Sequence, residues 1–343
     1  MSGKCWNRYK IKHILTRSKF GICRRTLSII IPIYNTKEYL YDCLQSVYNS
    51  IKKINAEVIL VDDGSDDGSS EIAQYFKNTY KCFKYFRTEH NGVADARNYG
   101  VSKACGKYIG FVDSDDIVIN FMYEKLLVSA EMNNADIAII DAERFNSYKT
   151  WGSVLHRKTF DNIDSGVVHI KTNPFLVYDS TVWNKIIRRH FWENRKFCFP
   201  KGYLYEDVAI SIPLHYEAKK VVAVREIGYR WRDREGSNKS ITQNTHLVRN
   251  LNDRLYVLDL LFHYSEKNMK KDNQIIDEMK RKFLTIDIKM FVEKSFIVDP
   301  DTANEFREKI SLFLMNHYSI DDFNSLDDNS KELYRLFLDS NEF

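Results

Sequence analysis

The chain has 343 residues, 44% of them hydrophobic and 29% charged, with 51 Lys and Arg against 47 Asp and Glu and a formal net charge of +4. Such a length exceeds what one small core needs and predicts about two domains, while so mild a charge makes no case for nucleic acid as a partner. No apolar run approaches the ~18 residues of a spanning helix, and Met1–Thr26 lacks the apolar centre of a signal peptide, so neither a transmembrane segment nor export is expected.

The first segment, Met1–Thr26, carries Lys4, Arg8, Lys10, Lys12, Arg17, Lys19, Arg24 and Arg25 with no acidic residue, interleaved with Trp6, Tyr9, Ile14, Phe20 and Ile22. Two readings stand: an arm lying on an anionic membrane surface, or a solvated basic tail. The six cysteines (Cys5, Cys23, Cys43, Cys82, Cys105, Cys198) form no C-x-x-C pair, which fits a reducing cytoplasm better than a disulfide framework or a zinc site.

From Leu27, "LSIIIPIYN" is a short run dense in β-branched residues and predicts a buried strand. "TKEYLYDCLQSVYNS" then repeats apolar residues at helical spacing, with Leu40, Leu44 and Val47 on one face and Thr36 placed to cap it. "AEVILVDDGS" repeats the plan, with a helix from about Ser69 to Lys77. "CFKYFRTE" is a third strand, "VADARNYGVSKA" a third helix, and "KYIGFVDSDD" a fourth strand. Strands alternating with helices in this way predict β-α-β units and a parallel sheet, whose ligands bind beyond the carboxyl ends of the strands. Those ends carry Asn35, Asp62 and Asp63, Glu89 to Asn91, and Asp113 to Asp116.

Beyond about Thr150 the pattern loosens. "STVWNKIIRRHFWEN" reads as a helix, "FPKGYLYEDVAISIPLHYEA" as a loop opening into a helix that Pro213 kinks or shortens, and "KVVAVREIGYRWR" as a strand. From about Thr245 glycine disappears and Lys, Glu, Leu and Phe recur at helical spacing, predicting a C-terminal helical region.

Three carboxylates within "DSDD" pose a physical problem, because aspartate is a poor strand residue and unpaired buried charge is costly. On an extended strand Asp113 and Asp115 point to one side and Ser114 to the other. Two hard oxygen donors beside a nucleotide diphosphate would suit Mg²⁺ or Mn²⁺. The alternative is a turn in which Asp115 or Asp116 caps the next helix. "DDGSDDGSSE" also resembles a calcium loop counted from Asp63, but Gln74 stands where that loop needs a bidentate Glu, and a strand rather than a helix leads into it.

Taken together, "LSIIIPIYN", "EVILVDDGSDDGS", "NGVADARNYGVSKACGKYIGFVDSDD", "VWNK" and "GYLYED" resemble the inverting family 2 glycosyltransferases of GT-A fold, closest to those of bacterial capsule and lipopolysaccharide synthesis. The resemblance covers roughly Leu27 to Ile241. It implies an α/β fold with a Rossmann-like, mostly parallel sheet flanked by helices. The organisation that follows is a basic arm over 1–26, a glycosyltransferase domain over 27–244 and a helical region over 245–343. Within the domain, the nucleotide-sugar half spans about 27–120 and the acceptor half about 121–244.

Carried over position by position, the resemblance implies that Pro32, Tyr34 and Asn35 line the nucleoside pocket and that Asp63 bonds the uracil or ribose. Arg97 would contact base or diphosphate, Asp113 the ribose or the metal, and Asp115 would ligate Mn²⁺ or Mg²⁺, with Ser114 between them at the donor. Asp207 would be the general base, and Arg232, Arg234 or Ser237 of "YRWRDREGS" would close over the diphosphate. The expected reaction is transfer of one hexosyl unit from a nucleotide sugar, by expectation a UDP-sugar, to a glycan or lipid-linked acceptor. The processive members' Gln-x-x-Arg-Trp motif is missing from "YRWR". A non-catalytic nucleotide- or glycan-binding module is the alternative. The expected location is the cytoplasm, on the inner face of the plasma membrane if the arm binds lipid, and the C-terminal helices are a candidate dimerisation surface.

Overall fold

The computed structural model describes residues 25–236, 239–240 and 243–339. The basic arm as far as Arg24 and Ser237 lie outside the described residues. The nucleotide half runs β1 (Leu27–Ile33), α1 (Lys37–Ile51), β2 (Ala56–Asp62), α2 (Ser69–Thr79), β3 (Phe83–Arg87), α3 (Val93–Lys103) and β4 (Tyr108–Phe111). β1 and β2 are buried along their whole length, as the unbroken apolar runs demand of strands covered on both faces. The spatial order β3-β2-β1-β4 is parallel throughout.

The sheet continues in a mixed sense. Next come β5 (Ile117–Val118), α4 (Met122–Asn133), β6 (Ile137–Phe145), β7 (Thr150–Gly152), α5 (Val154–Phe160), β8 (Gly166–Val168), β9 (Lys185–Arg188), α6 (Arg189–Arg195), α7 (Glu206–Glu217) and β10 (Val221–Arg232). β9 lies antiparallel between β4 and β6, and β10 runs parallel to β6 with a register shift between Val224 and Tyr229. Such bulges re-aim side chains near functional sites, and here the shift precedes Tyr229, Trp231 and Arg232.

Two apolar clusters cover the two faces of this sheet. One joins Leu40, Leu44 and Val47 of α1 with Leu126 and Leu127 of α4. The other joins Ala96 of α3, Val208 and Ile212 of α7 and the C-terminal helices. Those helices are α8 (Val248–Asn268), α9 (Asn273–Lys282), α10 (Lys289–Ser295), α11 (Pro300–His317), α12 (Ile320–Asn324) and α13 (Asp328–Asp339), with a π-turn at Phe283–Asp287 between α9 and α10. Leu251, Val257, Leu258 and Leu261 of α8 share a single cluster with the sheet residues Ile30 and Ile109.

Four local expectations need correction. "STVWNKIIRRHFWEN" is not one helix: Lys185–Arg188 is strand β9, and only Arg189–Arg195 is helical. The β-branched Ile186 and Ile187 win there, because a slot between β4 and β6 buries them on both sides. Pro213 sits inside α7 without ending it. Thr36 occupies the N-cap of α1, but its hydroxyl goes to Ser114 instead of the helix. Cys105 is disulfide-bonded, so the expectation of reduced thiols fails at that position, while Cys43, Cys82 and Cys198 are free.

Candidate active site

The parallel register brings the acidic strand ends to one rim, but most of the carboxylates are engaged with the protein itself. Asp62 is fully buried and accepts from the Ser70 hydroxyl, from Tyr85 at 2.7 Å and from Arg87 at 3.0 Å. Burial opposes its ionisation, yet hydrogen bonds from Ser70, Tyr85 and Ser65 outweigh burial and hold its pKa below the ordinary carboxylate value. Asp63 accepts from the Asn91 and Gly92 amides at 3.0 and 2.7 Å and from Thr88 at 3.0 Å, fastening the loop that enters α3. Gly92 makes that loop at φ +94°, a conformation that side chains disfavour.

Asn35, itself at φ +49°, exchanges two hydrogen bonds with Asp66, at 2.9 and 3.0 Å. Asp67 accepts from the Lys37 amide at 2.9 Å and so caps α1 from the neighbouring loop. The acidic loop thus fastens two turns together, and this accounts for the calcium-like spacing. Tyr34 is 46% exposed and stacks on His90 with centroids 4.1 Å apart. Pro32 is buried in β1. Ile30 faces β4, since its carbonyl accepts from Val112. Pro32, two residues on, faces the same way where the β4 ladder has already stopped, so its missing N–H leaves no gap.

Asp113–Asp116 is a turn and not an extended strand: β4 ends at Phe111 and the Asp116 amide bonds back to the Asp113 carbonyl at 3.1 Å. The alternation expected for Asp113 and Asp115 therefore does not apply. Neither Asp115 nor Asp116 caps α4, whose N-cap is Phe121. Ser114 turns inward, its hydroxyl accepting from Thr36 at 3.0 Å. Asp116 is fully buried and accepts from the Tyr229 hydroxyl and the Arg232 amide, both at 2.7 Å. Burial raises its pKa well above the ordinary value.

Asp115 pairs with Arg234 at 2.7 Å, while Arg232 donates to the Asp115 carbonyl at 2.6 Å. Burial raises the Asp115 pKa in spite of Arg234, so further positive charge beside it would be favourable. Both arginines pack against Tyr39, at 4.8 and 5.5 Å from its centroid. Residues 119 positions apart thus meet at one turn.

Asp113 pairs with Arg97 at 2.6 Å, and the same guanidinium bonds Glu206. Arg97 and Glu206 are 4% and 3% exposed. Arg97 therefore links the end of β4 to the first residue of α7. Asp207 follows at once, half-buried, with one oxygen accepting from the Val208 amide at 2.9 Å. Burial raises its pKa, Arg97 and Arg254 oppose that, and Asp113 adds to it. A base with a raised pKa is a stronger proton acceptor near neutral pH.

Sequence reasoning missed Tyr229, which holds the 113–116 turn through Asp116 and through the Asp113 amide at 3.2 Å. It also missed Trp183 of "VWNK", which stacks on Tyr229 at 4.2 Å. Their aromatic character in "YRWR" and "VWNK" was the available signal. A buried cluster behind them is Asp179 with Lys185 at 2.9 Å and His215 at 2.8 Å. Burial opposes charge on Asp179, but Lys185 and His215 hold it well below the usual carboxylate range. Neighbouring His156 is pushed down to about 4, chiefly by burial.

Among the described residues no three His, Cys, Asp or Glu side chains gather as a cation site. The donor chemistry is nevertheless compatible with a hard divalent cation. Asp113 and Asp115 offer carboxylate oxygens, and each uses one of them for its guanidinium partner. Mg²⁺ commonly needs only one or two protein carboxylates when a diphosphate and water complete the shell.

A strand-end carboxylate turn, a buried arginine bridge and an acidic helix start thus meet at one rim of a half-parallel α/β sheet. The family model described as Glycosyl transferase family 2 matches residues 28–205. The chain belongs to the glycosyl transferase family 2. Among curated relatives it is 27% identical over 261 residues to Glycosyltransferase GlyA of Streptococcus pneumoniae, covering 73% of this chain and 37% of that protein. It is 31% identical over 232 residues to the cholesterol galactosyltransferase of Borreliella burgdorferi, covering 64% of this chain and 63% of that one. The chain thus spans less than two thirds of the length of both relatives. In fold it is similar to S. aureus TarS 1-349, solved in complex with UDP-GlcNAc, with a TM-score of 0.70 at 17% identity over 92% of this chain and 91% of that one. That likeness extends the GT-A type of fold through the C-terminal helices.

Proposed function

We propose that the chain is an inverting glycosyltransferase that moves one sugar from a nucleotide sugar to a hydroxyl of a glycan or lipid-linked acceptor in bacterial surface-polysaccharide synthesis. The observation that carries this reading is the Asp113–Arg97–Glu206 bridge, which brings Asp207 to the rim where the parallel strands end. Names among the relatives support the pathway, including a minor teichoic acid biosynthesis protein of Bacillus subtilis, and the TarS complex supports a UDP-sugar donor.

In this reading the acceptor oxygen forms a bond to the anomeric carbon as the bond from that carbon to the diphosphate oxygen breaks. The acceptor proton passes to an oxygen of Asp207. Asp113 and Asp115 would hold Mn²⁺ or Mg²⁺, which supplies positive charge to the departing diphosphate. Arg232 and Arg234 close on the same turn from β10 and add fixed positive charge there. Tyr34 and Asn35 flank the nucleoside beside Pro32, and Asp63 shapes the loop that faces it.

The test is release of nucleoside diphosphate from a panel of nucleotide sugars with Mn²⁺. Release from one donor, stopped by EDTA and restored by Mn²⁺, is the expected result. Binding of UDP with no release from any donor, acceptor present, would instead indicate a binding module. Among the described residues no helix is long and apolar enough to cross a membrane. Contact of the basic arm with anionic lipid is a separate proposal, tested by liposome co-sedimentation with and without Met1–Thr26.

A further inference from the structure

The segment that leads into Asp207 is held on one side by the Arg97 bridge to β4 and on the other by the C-terminal helices. Tyr205, the N-cap of α7, stands at φ +62° and ψ 28°. A bulky residue adopts this left-handed conformation only where its surroundings over-determine it. Those surroundings come largely from α8. The Tyr203 ring stacks on Tyr256 with centroids 3.9 Å apart and planes 15° from parallel. The Leu204 amide donates to Asp253 at 3.1 Å. Asn250 donates to the Tyr205 hydroxyl at 3.1 Å, and the Arg254 guanidinium lies 3.7 Å from the Tyr205 ring centroid. Positions 250, 253 and 254 share a helix face by their spacing, so one surface of α8 grips Leu204 and Tyr205, and Tyr256 beside it holds Tyr203.

Arg254 is itself immobilised. It pairs with Asp287 at 2.9 Å, and Asp287 takes Lys282 on its other oxygen at 2.6 Å. Asp287 closes the π-turn Phe283–Asp287, an irregularity often found at functional sites. Arg254, Asp287 and Lys282 are 4%, 3% and 0% exposed. Apolar residues often serve stability as well as a buried ionic chain does, so the retained charges suit a requirement for placement.

Resting on the assignment of Asp207 as the base, we propose that Arg254 is a positioning residue. Through Tyr205 it sets the direction in which α7 begins, and with it the place of Asp207 and the Glu206–Arg97 bridge. The C-terminal helices are then part of the catalytic apparatus without touching substrate.

The experiment compares the full chain with Arg254→Met, Arg254→Lys and the milder Tyr205→Phe, which removes only the hydroxyl bonded by Asn250. Hydrogen exchange with UDP and Mn²⁺ present should quicken at least tenfold for amides 204–208 in Arg254→Met and leave those of β1 and β2 unchanged. Transfer should fall about 10–100-fold in kcat with UDP affinity within twofold of the parent, Arg254→Lys should recover part of the loss, and Tyr205→Phe should lose about threefold. Unchanged exchange at 204–208, or loosening spread evenly over the sheet, overturns the proposal; should Arg254→Met fail to fold, the same readouts on Tyr205→Phe decide. The double variant Arg254→Met/Asp207→Asn separates the two assignments. If Arg254 works through Asp207, the double variant is no slower than Asp207→Asn alone, whereas multiplied losses refute the coupling. Full activity of Asp207→Asn by itself would remove the base assignment and leave the exchange result to judge the clamp.

Discussion

The nucleotide half and the α7 segment place their acidic groups in opposite ways. In the nucleotide half the carboxylates that follow β2 are fastened by neighbouring loops of the same β-α-β series, Asp63 by residues 88–92 and Asp66 by Asn35, while the 113–116 turn borrows Tyr229, Arg232 and Arg234 from far along the chain. At α7 the carboxylates depend on residues far away in sequence, with Arg97 on one side and α8 on the other. The first arrangement survives local change because many short-range bonds share the work. The second is concentrated in a few buried groups, so single substitutions there should cost more.

The largest effect is expected at Asp207. Asp207→Asn should lower kcat by ~10²–10⁴-fold, the usual contribution of a general base, with UDP affinity in a titration unchanged; a rate near the parent's would end the assignment. Because burial raises the Asp207 pKa, and the base works only when ionised, transfer should be full at alkaline pH. It should begin to fall at a pH above the ordinary carboxylate value of ~3.9, and a pH–rate profile flat down to that value would contradict this.

Next in size is Arg97. Arg97→Met leaves Glu206, 3% exposed, without its partner. Stranding a buried charge costs ~3–5 kcal/mol, measurable as a lowered urea midpoint together with lost turnover. A stable, active Arg97→Met protein would mean that the bridge between the halves is dispensable.

A smaller effect belongs to His156. Its folded-state pKa of about 4 lies below the unfolded value of ~6.5, so the unfolded chain takes the proton first on acidification. The contribution is full above the unfolded value and drains as pH falls towards the folded one, by about 3 kcal/mol in all. Urea midpoints at pH 7.5, 6 and 5 should fall accordingly, and His156→Phe should flatten that decline. The smallest effect is expected at the exposed Tyr34. Tyr34→Ala should weaken UDP binding roughly fivefold, about 1 kcal/mol of lost stacking, with kcat unaltered.

Much of this could be read along the chain. The strands and helices from Leu27 to Phe111 announced themselves by period and by β-branched runs, and so did α7 and β10. The parallel register does bring the acidic strand ends to one rim. The geometry of Asp113 and Asp115 did not follow, because a strand was assumed to continue where the chain turns at Asp113. Lys185–Arg188 misled for a related reason: its short apolar run fits either period, and the slot between β4 and β6 decided it.

By itself, the order of residues determined the β-α-β series, the side of the sheet on which carboxylates collect and the helical character of the last hundred or so positions, because each depends on neighbours a few residues apart. Only the tertiary structure decided which of those carboxylates are consumed by the protein and which keep an oxygen available. It also decided that Arg97 meets Glu206, that Arg234 meets Asp115, and that α8 carries the turn at Tyr205. The pairing of buried charges is governed by what surrounds them in space, and that was set only when β9 and β10 entered the sheet and the C-terminal helices closed its face.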